Sequence, residues 1–135
     1  MANPNLQNTT SAFGNTAYVI PSSAATATTS WTYNGTTSLT GLTPAVNTVN
    51  KINAVLVSNT TSSAATATVA VGNNATFASS TVITYPAYQI SVPPNATLIV
   101  LDKTTPLFIT ENQSVAVYSG TASALTFTAV FEALT

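Results

Sequence analysis

The stretch VPPNATLIVLDKTTPLFITENQSVAVYSG, residues 92–120, alternates short apolar runs with residues that interrupt a strand. The apolar runs at 97–101, 107–109 and 114–119 have strand length and lack the periodicity of a helix. Pro93 and Pro94 remove backbone donors and make a rigid corner before the first run. We predict a second corner at DKTTP and a turn at ENQS. The stretch therefore predicts a succession of short β-strands.

The flanking sequence continues this pattern. Further strands are predicted at residues 17–20, 50–59, 65–71, 80–92 and 124–134. Thr66 and Thr68 alternate with apolar residues and should face solvent, whereas Phe127 and Phe131 should face the core. Pro86 marks a bulge or a sheet edge. Because no segment shows a helical period, we predict an all-β fold, an antiparallel β-sandwich of immunoglobulin-like or jelly-roll topology.

Two regions of unequal pattern divide the chain. Residues 46–135 carry the stronger strand signals and are predicted to form the sandwich domain. Residues 1–45 are rich in Asn, Thr and Ser and are predicted to be an extended N-terminal arm with one or two short strands. Within it, Asn34-Gly35 is a hairpin-turn signal and residues 39–44 are predicted as loop.

The composition excludes several function classes. Charged residues make up 4% of the 135 residues, and the net charge is −1, against about 25% charged in an ordinary soluble domain. The two cations, Lys51 and Lys103, are too few to bind nucleic acid or an anionic membrane surface. With so little net charge, a free monomer is weakly protected from self-association. We therefore expect the chain to function within an assembly.

The chain contains no Cys and no His. This excludes disulfides, thiolate chemistry, the usual zinc ligand sets and imidazole acid–base catalysis. The N-terminal residues do not show the pattern of a secretory signal, and no apolar run reaches the roughly 18 residues that span a bilayer. N-x-[ST] sequons, which carry no functional weight without a signal peptide, occur at Asn8, Asn34, Asn59, Asn74, Asn95 and Asn112.

Charged side chains cluster in the opening stretch, at Asp102, Lys103 and Glu111. Asp102 and Glu111 could be imagined as the carboxylate pair of a glycosidase. Both lie at predicted corners, however, where charges are usually solvated, and no neighbouring base is apparent. No serine stands three residues before a lysine, so a Ser–Lys dyad of that spacing is absent. We expect no catalytic, cofactor-binding or metal-binding residue.

Aromatic residues are the remaining candidates for a contact surface. Trp31, Tyr33, Tyr85 and Tyr88 could form a face that binds a partner or a sugar. Trp31 lies in a polar strand near the arm, so it could pack against a neighbouring subunit or form a small satellite core beneath the arm. The sequence leaves these two alternatives open.

The order of strands and corners from residue 50 to 135 resembles small virion structural proteins of tailed bacteriophages, notably those of marine cyanobacterial phages. The pattern comprises ISVPPNATLIVLDKTTP, then ENQSVAV, then the apolar last strand ALTFTAVFEAL. Residues 1–49 match only in style, as an uncharged lead-in rich in Thr and Asn.

The resemblance implies a non-enzymatic virion component, in first place a capsid decoration (cement) protein on the outer capsid surface. Its implied partners are the major capsid protein and further copies of itself, as in a trimer, without nucleic acid, membrane or cofactor, and we do not expect a glycan partner. Candidate contact residues toward a subunit or the capsid are Phe13, Tyr18, Trp31 and Tyr33. The alternatives are a small tail or fibre-associated protein, and a host-glycan-binding module that would use Trp31, Tyr33 and Tyr85.

Overall fold

The computed structural model describes residues 9–33 and 35–135 and contains strands but no α-helix among them. A single 3₁₀ turn covers Ser79–Thr81. The all-β class predicted from the sequence is confirmed. The strands are β1 (Ala12–Val19), β2 (Ser30–Tyr33), β3 (Thr37–Thr40), β4 (Val49–Asn59), β5 (Ala65–Gly72), β6 (Val82–Val92), β7 (Thr97–Leu101), β8 (Leu107–Ile109), β9 (Ser114–Ser119) and β10 (Leu125–Leu134).

The strands form two antiparallel sheets that pack as a sandwich. The large sheet has seven strands in the order β3-β2-β1-β10-β4-β7, with β8 also paired to β4. The small sheet has three strands in the order β6-β5-β9. The chain crosses between sheets from β4 to β5, from β6 to β7, from β8 to β9 and from β9 to β10.

The core lies between the two sheets and follows the alternation of the strands. Val19, Phe127 and Val57 are register partners across β1, β10 and β4, and all three are buried. Val69 and Val117 face them from the small sheet. Burying a side chain of this size contributes about 1.5–3 kcal/mol relative to leaving it exposed. The inward direction predicted for Phe127 and Phe131 is confirmed.

The N-terminal residues are built into the sandwich more extensively than the sequence indicated. β1 lies between β2 and β10 inside the large sheet, and Ala17, Trp31 and Leu42 are fully buried in the core. The region therefore has three strands where one or two were expected, and β3 occupies part of the segment predicted as loop. The reason is long-range pairing: β1 pairs with the last strand over its whole length, which local sequence patterns do not reveal.

The hairpin predicted at Asn34-Gly35 joins β2 to β3. Tyr33 is paired with Thr37, and Gly35 and Thr36 lie in the turn that precedes β3. Asn34 lies outside the described residues. Gly35 has a φ of +80°, a left-handed conformation that glycine adopts without steric cost.

The predicted second corner at DKTTP is not a corner. β7 pairs with Val55–Ser58 of β4, and β8 pairs with Asn50–Ile52 of the same strand in the same direction. The segment 102–106 is thus an excursion between two segments that follow one edge of β4. The prediction failed because Pro106 and the polar residues before it interrupt pairing without reversing the chain.

The free edge of β9 is covered by the chain that precedes β2 and by the chain that follows β3. Thr28 and Val117 exchange two backbone hydrogen bonds of 2.9 and 3.0 Å, and the Val115 N–H donates to the Gly41 carbonyl at 2.7 Å. The Trp31 indole Nε1 donates to the Val115 carbonyl at 3.3 Å. These bonds tie the N-terminal strands to the small sheet and leave β6 as its uncovered edge within the described residues.

Candidate functional site

Three tyrosines surround an open groove on the outer face of the small sheet. We call it the tyrosine groove, and its volume is ≈ 280 Å³. All three strands of the sheet contribute to it. Its lining residues are Ala25, Thr66, Thr68, Tyr85, Tyr88, Gln89, Tyr118, Ser119 and Gly120.

Bulges in β6 bring Tyr85 and Tyr88 to the same face. Residues three apart in a regular strand point to opposite faces of the sheet. Here Val69 is opposite Ala87 and Val71 is opposite Thr84, so two steps along β5 correspond to three along β6. The extra residue shifts the alternation, and the two rings meet edge-to-face with centroids 4.9 Å apart at 68°. The bulge or edge predicted at Pro86 is confirmed on both counts, since β6 is bulged and lies at a sheet edge.

A second irregularity of β6 lies at Gln89, an exposed residue that lines the groove. Its φ of +48° turns the backbone N–H out of the strand ladder. The Thr68 hydroxyl Oγ1 accepts that N–H at 2.9 Å, so the donor is satisfied by a side chain. The Gln89 side-chain amide makes no hydrogen bond to any other described residue, which leaves its donor and acceptor atoms available.

Tyr118 closes one side of the groove. Burial raises the pKa of its phenol, and the neighbouring Tyr85 raises that pKa further. The hydroxyl is therefore a neutral hydrogen-bond donor over the physiological pH range. Phe77 packs against the Tyr118 ring edge-to-face, with centroids 6.4 Å apart. This contact restricts the orientation of the ring.

A second groove lies at one end of the large sheet, and we call it the Phe13 groove. Phe13 shares the inward-facing parity of Ala17 but is 65% exposed, so the small sheet does not cover this end. Tyr33 contacts Phe131 edge-to-face there, with centroids 6.5 Å apart. The groove has a volume of ≈ 310 Å³ and includes the apolar residues Phe13, Tyr33, Leu39, Pro44, Ala45, Phe131 and Ala133 in its lining.

The four predicted contact residues therefore lie in three different environments. Phe13 and Tyr33 come together in the Phe13 groove. Tyr18 is exposed on the opposite face of the large sheet, on the alternate parity of β1. Trp31 is fully buried in the chain's own core and is not accessible to a neighbouring subunit. Of the two alternatives for Trp31, a core position is the one found, although the core is the main one and not a satellite.

The charged cluster of the opening stretch does not assemble a site. Asp102 and Lys103 are exposed, as expected. The Thr104 hydroxyl and then its backbone N–H donate to the Asp102 carboxylate and hold its pKa below the ordinary value. Glu111 is buried, which corrects the prediction that it is solvated. Its Oε2 accepts the Asn47 backbone N–H at 3.3 Å, whereas Oε1 has no partner among the described residues.

No group of three acidic residues in the described part of the chain is placed to hold a metal ion. None of its helices is long and apolar enough to cross a membrane.

A comparison with family models finds no match to this chain, and neither does a comparison with curated proteins or with solved structures. The aromatic set considered for sugar binding, Trp31, Tyr33 and Tyr85, is not brought together. Tyr85 instead meets Tyr88 and Tyr118. Tyr85 and Tyr88 belong to the aromatic set that the sequence suggested as a contact face, whereas Tyr118 does not. Thr66 is exposed as predicted, but Thr68 is buried.

Proposed function

We propose that this chain is a non-enzymatic structural subunit of a tailed-phage particle, a decoration protein that binds the outer capsid surface. The resemblance of residues 50–135 to small virion proteins supports the setting. The nearly uncharged composition supports a function within an assembly, because little electrostatic repulsion opposes the close approach of subunits.

The observation that carries the proposal is the apolar patch that Phe13 and the rest of its groove leave at the surface. Exposed apolar side chains gathered into patches mark contact surfaces, whereas scattered ones are ordinary. The other exposed apolar side chains are distributed over both sheets and the loops. The large hydrophobic side chains exposed in the described residues are Phe13, Tyr18, Ile20, Val46, Ile83, Tyr85, Tyr88, Ile90, Ile99, Phe108 and Val130.

The Phe13 groove is the surface assigned here to the major capsid protein. It contains two of the four predicted contact residues and is mainly apolar. Phe13 is the most exposed of the large hydrophobic side chains, so a partner that covers it removes the most apolar surface from water. Covering an aromatic side chain of this size contributes about 1.5–3 kcal/mol to binding.

A binding experiment with capsids tests the proposal. Purified phage shells that lack this protein are mixed with the wild-type chain, and bound protein is measured after sedimentation. We expect saturable binding at a fixed ratio to the major capsid protein. Phe13→Ser should weaken it about tenfold or more, since each 1.4 kcal/mol corresponds to a factor of ten.

Ile83→Ser is the matched control, because Ile83 is also exposed but lies on β6, away from the groove. It should bind like the wild type. Equal weakening by both variants would contradict the assignment of the groove. Failure of the wild type to sediment with shells would contradict the decoration function, and binding to isolated tails would favour the tail or fibre alternative.

A further inference from the structure

We propose that the tyrosine groove binds a neutral glycan. This inference is independent of the proposed structural function, because it concerns the outer face of the small sheet and not the Phe13 groove. A particle subunit can carry such a site, and so can a protein of another kind.

The aromatic rings of the groove are arranged in a way that suits a sugar ring. Tyr85 and Tyr88 meet at 68°, so they present two differently oriented surfaces to the groove. The C–H face of a pyranose ring is apolar and packs against an aromatic ring, while its hydroxyls need polar partners. Tyrosine supplies both the apolar body and the polar tip with little loss of conformational freedom on binding.

The groove also contains polar side-chain atoms that are available to hydrogen-bond a ligand. The Gln89 amide offers a donor and an acceptor, and the Tyr118 phenol offers a neutral hydroxyl. The Thr66 hydroxyl also faces the groove. Binding sites for small molecules typically combine an apolar lining with a few placed polar groups, and sugar hydroxyls are both donors and acceptors. The groove therefore matches a ligand rich in hydroxyls.

The lining of the groove is uncharged: it includes no Asp, Glu, Lys or Arg. A sulfated, phosphorylated or carboxylated sugar would lose hydration there without gaining a cationic partner, which is costly. The groove consequently favours a neutral sugar over an anionic one. Its volume of ≈ 280 Å³ lies near the lower end of ligand-binding clefts and suits a short glycan segment.

Close packing at Gly120 shapes one end of the groove. A Cβ built on Gly120 would lie 2.2 Å from the Thr66 hydroxyl oxygen, so no larger residue fits without displacing it. The Gly120 N–H donates to the Thr66 carbonyl at 2.8 Å. The Thr66 hydroxyl thus occupies the space that a side chain at position 120 would need.

The test is an array that carries both neutral and anionic glycans, probed with the labelled full-length chain. We expect retention on a subset of neutral glycans and none on their sulfated or sialylated counterparts. Tyr88→Ala should reduce retention at least tenfold. Gln89→Gly should also reduce it, because the change removes the side chain and its amide while glycine suits the φ of +48°.

Tyr18→Ala is the matched control, an exposed strand tyrosine on the outer face of the other sheet. It should leave glycan retention unchanged, and circular dichroism should show all variants folded. The proposal is overturned if no neutral glycan is retained, if only anionic ones are, or if Tyr18→Ala lowers retention as much as Tyr88→Ala. A change in oligomeric state on Tyr88→Ala without glycan binding would make the groove a protein interface and overturn it as well.

Discussion

Trp31 connects the two sheets through a single side chain. It belongs to β2 of the large sheet, is fully buried, and donates its indole N–H to a carbonyl of β9 in the small sheet. Its ring therefore contributes apolar burial and also satisfies a polar group at the edge of β9. Both contributions are lost together when the side chain is truncated.

We expect Trp31→Ala to lower the free energy of unfolding by about 3–5 kcal/mol, the range found when large core aromatics are truncated. Phe13→Ala removes an aromatic side chain that is mostly exposed. It should change the free energy of unfolding by about 0.5 kcal/mol or less. Urea denaturation followed by circular dichroism measures both. Similar losses in the two variants would show that Trp31 is not a core residue.

At this scale, burial could be predicted from the sequence for some residues and not for others. The inward direction of Phe127 and Phe131 follows from their alternation with threonines. Trp31 stands among Ser, Thr and Tyr, so its neighbours do not indicate burial. Glu111 shows the same limit, because burial of a charged group depends on how the turn at 110–113 packs against Asn47, a residue 64 positions away.

Strand β6 shows how an element creates a surface that its parity does not predict. Its pairing with β5 shifts three times, between Ala67 and Val69, between Val69 and Val71, and between Val71 and Gly72. Bulges bend an edge strand and re-aim its side chains. In β6 they collect tyrosines on one face and leave the Gln89 N–H to be accepted by Thr68.

Thr68→Val should destabilise the chain by about 1 kcal/mol, because valine keeps the shape but leaves the Gln89 N–H without its acceptor. Thr66→Val is the control on the same strand and face, because the Thr66 hydroxyl accepts no backbone N–H. It should have little effect on stability. Thermal unfolding of the two variants side by side gives the comparison. An equal effect would mean that the bulge does not depend on the Thr68 hydroxyl.

At the scale of elements, the existence of strands was predictable and their pairing was not. The patterns of apolar residues at 50–59, 65–71 and 124–134 identify these segments as strands. It does not reveal that β1 joins β10, or that β7 and β8 follow the same edge of β4. The tyrosine groove depends on both pairing and bulges, so the sequence indicated Tyr85 and Tyr88 as candidates but not that Tyr118 and Gln89 lie beside them.

The whole molecule is a sandwich of unequal sheets, seven strands against three. The difference in width leaves part of the large sheet uncovered and produces the Phe13 groove beside the core. With only five charged residues, little electrostatic repulsion opposes association, and the exposed apolar side chains provide surface for a partner to cover. These features favour a subunit whose stability and function both benefit from a partner, and binding would in turn stabilise the folded chain by mass action.

The most direct test of the proposed function is to count this protein in purified phage particles by quantitative mass spectrometry, relative to the major capsid protein. We expect a simple ratio, near one to one or one to three, as for a protein that decorates the whole shell. A count of a few to a few dozen copies would contradict decoration and place the protein in the tail or a fibre. Its absence from particles would contradict a virion function altogether.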